Sequence, residues 1–147
     1  MKAVVQRVIR ASVEVDGLAI GQINGGMLVF LGVAKGDGEV DVQYMVEKLT
    51  TLRMFSDVHG KMNLALSDVA GAVLLVSQFT LLADTRKGRR PSFDEAAPPD
   101  AARHLYALVA EGVRRRGLTV ETGQFGAHMR VLLQNDGPVT FFLDSRA

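Results

Sequence analysis

The chain has 147 residues, of which 48% are hydrophobic and 22% are charged. This composition is typical of a folded globular protein, and the length fits one domain, which we expect to span residues 1–147. Lys and Arg number 17 and Asp and Glu number 16, which gives a net charge of +1. This balance excludes a strongly cationic nucleic-acid coat protein but permits a local basic patch. The absence of Cys excludes a disulfide scaffold, a zinc ribbon and a thiol enzyme.

The apolar stretches are too short for a membrane helix. The longest are residues 27–34 and 71–76, whereas a membrane-spanning helix needs about 20 apolar residues. The first ten residues include Lys2, Arg7 and Arg10 and contain no apolar region of a signal peptide. We therefore expect a cytoplasmic protein without a membrane partner.

The first half of the chain predicts three strands and a helix. Alternating polar and apolar residues over 12–15 predict a half-buried strand, and Asp16-Gly17 predicts a tight turn into a return strand over 18–23. A second turn at 24–26 leads to a fully apolar strand over 27–34, which would complete a meander. A stripe at helical spacing then predicts the first helix, with its apolar face formed by Val42, Met45, Val46, Leu49 and Leu52.

The second half predicts further strands and a second helix. Strands are expected over residues 53–55, 72–77, 118–122, 129–134 and 139–143, with a hairpin turn at 135–138. Asp100 is the predicted N-cap of the second helix and Gly117 its C′ residue. The apolar stripe of that helix comprises Leu105, Leu108, Val109 and Val113. Because strands and helices are grouped rather than alternating, we predict an α+β fold with curved, mostly antiparallel sheets and two covering helices.

Several common catalytic centres have no support in the sequence. The histidines, His59, His104 and His128, lack the spacing of a metal motif, so we expect surface or packing roles for them. There is no phosphate-binding glycine motif and no GxSxG nucleophile elbow. We therefore expect neither a metal nor a cofactor.

The segment Ser77-Gln78-Phe79-Thr80 directly follows a predicted buried strand. A strand end frees backbone N–H groups from sheet pairing. Such groups can stabilise the negative charge that develops on a carbonyl oxygen during acyl transfer. The structural alternative is a strand that continues past a turn, with Ser and Thr satisfying its backbone.

A second segment of interest is Asn135-Asp136-Gly137-Pro138. If the Gly137-Pro138 bond is cis, which is essentially a proline property, its main chain would form a rigid wedge. Such a wedge could sense the chirality of a bound Cα without presenting a reactive side chain. The structural alternative is an ordinary hairpin turn.

The long irregular stretch over 84–99 contains a basic loop, with Arg86, Lys87, Arg89 and Arg90 in five residues. Four cations on one loop suit contacts to nucleic-acid phosphates, and a solvated loop remains the alternative. We interpret Arg114–Arg116 as a charge cluster at a helix end, where cations interact favourably with the helix dipole.

Residues 77–81 (SQFTL) and 135–140 (NDGPVT) resemble the two signatures of the D-aminoacyl-tRNA deacylases. Both signatures are intact, and the likeness continues at residues 4–8, 90–93 and 122–127. The resemblance implies a homodimeric enzyme with a barrel-like core that needs no cofactor. It implies hydrolysis of the ester between a D-amino acid and the 3′ end of tRNA, and removal of glycine mischarged on alanine tRNA.

The resemblance also implies roles for the first signature. Ser77, Gln78 and Phe79 would hold the amino group and carbonyl of the substrate, mainly through their backbone. Thr80 would belong to the catalytic site in a role that stays open. The 2′-hydroxyl of the terminal ribose would assist the attacking water.

For the second signature, the resemblance implies insertion of Gly137-Pro138 from one subunit into the pocket of the other. There its carbonyls would exclude an L side chain. Arg7 would brace this turn. Phe125 and Met129 would form the pocket wall, with packing in the core as the alternative.

Two other functions stay open on the residues alone. One is a non-catalytic RNA-binding module that uses the basic loop on a dimeric β scaffold. The other is a threonine-nucleophile hydrolase of small esters or amides, acting through Thr80.

Overall fold

A computed structural model describes residues 1–147 of the chain. Its regular elements are β1 (Lys2–Val15), β2 (Leu18–Ile23), β3 (Gly26–Gly32), α1 (Glu39–Thr51), β4 (Phe55–Ser56), β5 (Met62–Leu64), β6 (Ala72–Ser77), α2 (Pro99–Arg115), β7 (Thr119–Thr122) and β8 (Arg130–Asp144). Two short 3₁₀ helices lie at Leu66–Val69 and Phe79–Leu82. No helix combines the length and the hydropathy that crossing a membrane would require.

A curved mixed sheet in the order β2-β1-β3-β6-β7, with β8 also paired to β1, forms the barrel-like core. Strand β1 pairs antiparallel with β2, β3 and β8, whereas β3 and β7 both run parallel to β6. The predicted α+β class with a curved, barrel-like core is confirmed. The predicted meander is wrong, because β3 pairs with β1 and not with β2. The 14 residues of β1 are long enough for β3 to pair with its first half and β2 with its second half.

Strand β8 is one continuous element, so the predicted hairpin turn at residues 135–138 is wrong. Both halves of β8 pair antiparallel with β1, with register shifts near its middle. Between the pairs Gln6↔Thr140 and Val8↔Asn135, β1 advances two residues and β8 advances five, which leaves three extra residues on β8. The Gly-Pro pattern therefore marks a bulge in a long strand, which is a second context that favours these residues.

Helices α1 and α2 pack together against one face of the sheet. Met27, Val29 and Leu31 of β3 join a core cluster with both helices, whereas Leu28 joins a second cluster with residues of β1, β2 and β6. Burial on both faces explains why β3 is apolar throughout. Most of the predicted helical stripe residues are buried, whereas Leu52 and Leu108 are only partly buried.

The predicted N-cap of α2 is wrong, and its predicted end is confirmed. The helix begins at Pro99 with Pro98 as N-cap, so Asp100 lies in the first turn. Proline is favoured at the first helical position because its missing N–H would have no partner there. Gly117 follows the helix end with φ +84°, the left-handed conformation that favours glycine.

Candidate active site

A cavity of about 600 Å³ opens where β6 ends. It is lined by the predicted residues Ser77–Thr80 from the strand end and by Phe125 and Met129 from the segment between β7 and β8. Most of its other lining residues are apolar, and they include residues of β3, β6, α2 and β8. Six of the residues predicted for the site are therefore brought together in one chain.

The chain changes direction at Gln78, whose backbone is extended between β6 and the 3₁₀ helix at Phe79–Leu82. The Gln78 amide donates a hydrogen bond to the carbonyl oxygen of Leu31 at 2.8 Å. A Cβ on Gly32 would lie only 2.8 Å from the Gln78 carbonyl oxygen and 2.5 Å from Leu82 Cδ2. Glycine at position 32 therefore allows the site-bearing segment to pack against β3, a role that no sequence pattern indicated.

The backbone donors of this segment are not equivalent. The amide of Gln78 is already bonded, so it cannot bind an oxyanion. Phe79 and Thr80 open a 3₁₀ helix, and the first amides of such a helix have no acceptor within it. Both residues are exposed, and both line the cavity.

Two titratable side chains line the cavity, and sequence reasoning assigned neither of them to the site. Tyr106 donates a hydrogen bond from its hydroxyl to the carbonyl oxygen of Leu75 at 2.7 Å. Burial raises the pKa of Tyr106 to about 12. His128 is exposed, in agreement with a surface position. Tyr106 could have been suspected only from its place on the buried stripe of α2.

The aromatic wall of the cavity is held from both sides. The Phe125 ring packs against Tyr106, with centroids 5.9 Å apart, and the Arg103 guanidinium carbon lies 4.9 Å from the Phe125 ring centroid. Met129 packs over Gly123, where a Cβ would lie 2.7 Å from the Met129 sulfur. Both predicted wall residues thus face the cavity and also contribute to packing.

The Gly137-Pro138 bond is cis, and both residues are exposed and outside the cavity of their own chain. The Arg7 Nε donates to the Asp136 carbonyl oxygen at 2.8 Å, and its Nη1 donates to the Met54 carbonyl oxygen at 2.9 Å. Arg7 therefore links the bulge of β8 to the segment that precedes β4.

Asn135 closes the bulge with its side-chain amide. Its Oδ1 accepts from the Val139 amide at 2.8 Å, and its Nδ2 donates to the Val139 carbonyl oxygen at 3.1 Å. The same Nδ2 group also donates to Gln6 Oε1 at 3.0 Å. Asparagine supplies both a donor and an acceptor at one position, which explains its presence at the start of this segment.

The basic loop is closed at its base by two hydrogen bonds between the backbones of Asp84 and Ser92, at 2.8 and 2.9 Å. Arg86 donates two side-chain hydrogen bonds to the Asp84 carboxylate, at 2.9 and 2.6 Å. These bonds hold the pKa of Asp84 well below its usual range. The other three predicted tRNA-binding residues, Lys87, Arg89 and Arg90, are exposed and form no ion pair.

The cluster at the end of α2 is engaged within the chain. Arg115 pairs with Glu111 at 3.4 Å and Arg116 with Glu47 at 2.9 Å. Arg114 donates to a backbone carbonyl of β7 at 3.1 Å. The free positive charge of these two basic segments therefore lies mainly on the loop.

A family model described as D-Tyr-tRNA(Tyr) deacylase matches residues 4–144. The chain belongs to the D-Tyr-tRNA(Tyr) deacylase family. Membership confirms the family predicted from the two signatures, and it confirms that the chain is an enzyme, a hydrolase of the deacylase class.

Relatives of this deacylase family match the chain along nearly its whole length. A D-aminoacyl-tRNA deacylase of Anaeromyxobacter dehalogenans is 59% identical and one of Thermosipho africanus is 56% identical, each covering 99% of this chain and 98% of the relative. A solved structure named "c-Myc DNA Unwinding Element Binding Protein" is 43% identical, with full coverage of both chains and a TM-score of 0.93. A structure described as a probable eukaryotic D-amino acid tRNA deacylase covers 97% of each chain with a TM-score of 0.83. At 16% identity it supports the fold alone.

Proposed function

We propose that the chain hydrolyses the ester bond of D-aminoacyl-tRNA and releases free tRNA and the D-amino acid. Glycine mischarged on alanine tRNA is a further substrate of the same site. Two similar relatives bear the name D-aminoacyl-tRNA deacylase and match nearly the whole chain. The observation that carries the proposal is the cavity, which gathers Ser77–Thr80, Phe125 and Met129 around one concave surface.

The reaction needs only modest help from the protein, because an aminoacyl ester is already activated. Water attacks the ester carbonyl carbon, the bond from that carbon to the ribose 3′ oxygen breaks, and this oxygen takes up a proton. The amides of Phe79 and Thr80 stabilise the oxyanion that forms between these steps. The 2′-hydroxyl of the terminal ribose assists the water, and binding in the cavity fixes the ester in position.

Thr80 is a poor candidate for a covalent nucleophile. Such a nucleophile needs an adjacent general base, and the only titratable residues that line the cavity are Tyr106 and His128. Tyr106 is committed to a backbone carbonyl, and its raised pKa keeps it neutral. The Thr80 hydroxyl forms no hydrogen bond with Tyr106 or with His128. Thr80→Ala is therefore expected to retain substantial activity, whereas a substrate without the 2′-hydroxyl is hydrolysed poorly.

Chiral discrimination is assigned to Gly137-Pro138 acting in the cavity of a second copy in a homodimer. The segment is exposed, lies outside its own cavity, and is held by Arg7 and Asn135. Apolar side chains on β1 and β8 remain exposed in the single chain, namely Ile9, Leu132, Leu133 and Phe142. A second copy of the chain would cover such side chains.

The test is release of amino acid from matched D- and L-aminoacyl-tRNA. Release of the D amino acid alone is expected. Tight tRNA binding without release from either substrate would instead favour the RNA-binding module. Complete loss of activity in Thr80→Ala, with normal folding and tRNA binding, would favour a threonine-nucleophile hydrolase.

Mixing two impaired variants tests the composite site. If each site combines one chain's cavity with the other chain's Gly137-Pro138, a heterodimer of a Gly32→Ala chain, whose added Cβ would displace the Gln78 segment, and a Gly137→Ala chain contains one unmodified site. Activity should therefore return when the two proteins are unfolded and refolded together. Failure of refolded mixtures to exceed the separate variants, in a dimer shown to exchange subunits, would contradict the arrangement.

We assign tRNA binding to the free cations of the loop, which would contact the tRNA phosphates. These cations are Lys87, Arg89 and Arg90. Arg86, although part of the same basic run, is already bonded to Asp84. Because its substrate would be aminoacyl-tRNA, we infer that the protein acts in the cytoplasm and contributes to translation quality control.

A further inference from the structure

An aromatic pair lies where the cavity meets the basic loop. Phe79 lines the cavity and is 58% exposed, and Phe93 is 36% exposed. Their ring centroids are 5.0 Å apart with the planes inclined at 67°. Large apolar rings that stay this exposed while packing on each other offer a ready surface for another flat ring.

The pair is joined to the cations by the backbone. Phe93 directly follows Ser92, which is hydrogen-bonded to Asp84 at the base of the basic loop. Phe79 begins the 3₁₀ helix that ends at Leu82, two residues before Asp84, the other residue that closes the loop. An exposed aromatic surface beside unpaired cations is the combination by which proteins bind single-stranded nucleic acid, through base stacking and phosphate contacts.

We propose that Phe79 and Phe93 form a stacking platform for the base of the penultimate nucleotide of the tRNA 3′ end. This inference rests on the proposed function, because the cavity is taken to hold the terminal aminoacyl-adenosine. The nucleotide before it must then lie at the cavity mouth, where the platform is. Its phosphates run towards Lys87, Arg89 and Arg90.

The base and the ring are tested together in a double-mutant cycle on binding. The ligand is a deacylated RNA microhelix with a single-stranded ACCA end, compared with the same RNA carrying an abasic penultimate nucleotide, which keeps the phosphate. We expect the abasic RNA to bind the unmodified protein about tenfold more weakly, since stacking on an aromatic ring contributes an effect of this size per base. In Phe93→Leu the intact RNA should bind several-fold more weakly, and the abasic penalty should fall to the part that the Phe79 ring alone supplies.

Two control variants separate stacking from structure. Phe93→Tyr keeps an aromatic face and should keep the abasic penalty. Val58→Ala alters a side chain that is 95% exposed and lies outside the cavity and the basic loop, and it should behave as the unmodified protein does. The urea midpoint of each variant reports whether folding is intact.

An equal abasic penalty in the unmodified protein and in Phe93→Leu would overturn the platform. So would coupling of Phe93 to an abasic terminal nucleotide in place of the penultimate one. These failures are distinct from failure of the proposed function, which would appear as no release of amino acid from D-aminoacyl-tRNA by the unmodified protein.

Discussion

The three unpaired cations of the basic loop predict a definite salt dependence of tRNA binding. Log K falls linearly with log salt, and we call the steepness of this fall the salt slope. Each phosphate neutralised adds about 0.7 to the slope for single strands and about 0.9 for a duplex. Replacing Lys87, Arg89 and Arg90 together by Ala should therefore lower the slope by about 2–3. Between 50 and 200 mM salt, the affinity of the unmodified protein should therefore fall by roughly 16- to 60-fold more than that of the triple variant.

Filter binding of deacylated tRNA at 50, 100 and 200 mM KCl measures the slope directly. Arg89→Ala alone should lower it by about 0.7–0.9. Arg115→Ala is the matched control, because it removes the same charge from an exposed arginine that already pairs with Glu111. We expect almost no change in slope for this control. Equal slope changes in the two single variants would refute direct phosphate contact by the loop, and so would an unchanged slope in the triple variant.

Three further predictions concern the residues that shape the site. Gly32→Ala should reduce hydrolysis and lower the free energy of unfolding by about 1–3 kcal/mol, because its Cβ would meet the Gln78 carbonyl oxygen. Urea unfolding checks this against Gly25→Ala, whose Cβ would contact nothing within 4 Å. Gly137→Ala should lower the free energy of unfolding by about 1 kcal/mol or more, because φ at this position is +149°. It should also impair activity or discrimination. Unchanged rates on both enantiomers would remove this residue from the chiral readout. The pKa of Tyr106, about 12 in the folded state against about 10 when unfolded, means that stability present below pH 10 is lost as the pH rises towards 12. At pH 11 the unmodified protein should lose about 1.4 kcal/mol relative to Tyr106→Phe, and a stability difference between the two that is constant with pH would contradict this reasoning.

The local elements of the fold could be predicted because their signals lie in adjacent residues. The stripe of α1 and the Asp16-Gly17 turn follow from periodicity and positive φ, and both central turn residues have φ above zero. The pairing of the strands could not be predicted in the same way. Nothing between β2 and β3 indicates that both pair with β1. That pairing depends on the full length of β1, whereas the alternating pattern that predicts a strand covers only residues 12–15.

The candidate site shows a similar division. Ser77–Thr80 could be identified because a polar run ends an apolar strand, and the structure places all four residues on the cavity. Gly32 and Tyr106 could not, since their importance arises from contacts with Gln78 and Leu75 that are distant in sequence. The sequence of the basic loop also does not show that Arg86 differs from the other three cations. Its bonds to Asp84 exist only in the folded loop.

The two signature segments are supported by separate networks, and this separation gives the subunit-mixing experiment its resolving power. The cavity segment is held by the bond from Gln78 to Leu31 and by the close approach of Gly32. The β8 bulge is held by Arg7 and Asn135. Because the two networks share no residue, damage to one segment should leave the other competent within the same chain. A defect in either segment is therefore expected to be complemented by a chain that is defective in the other, which a single site contained within one chain would not allow.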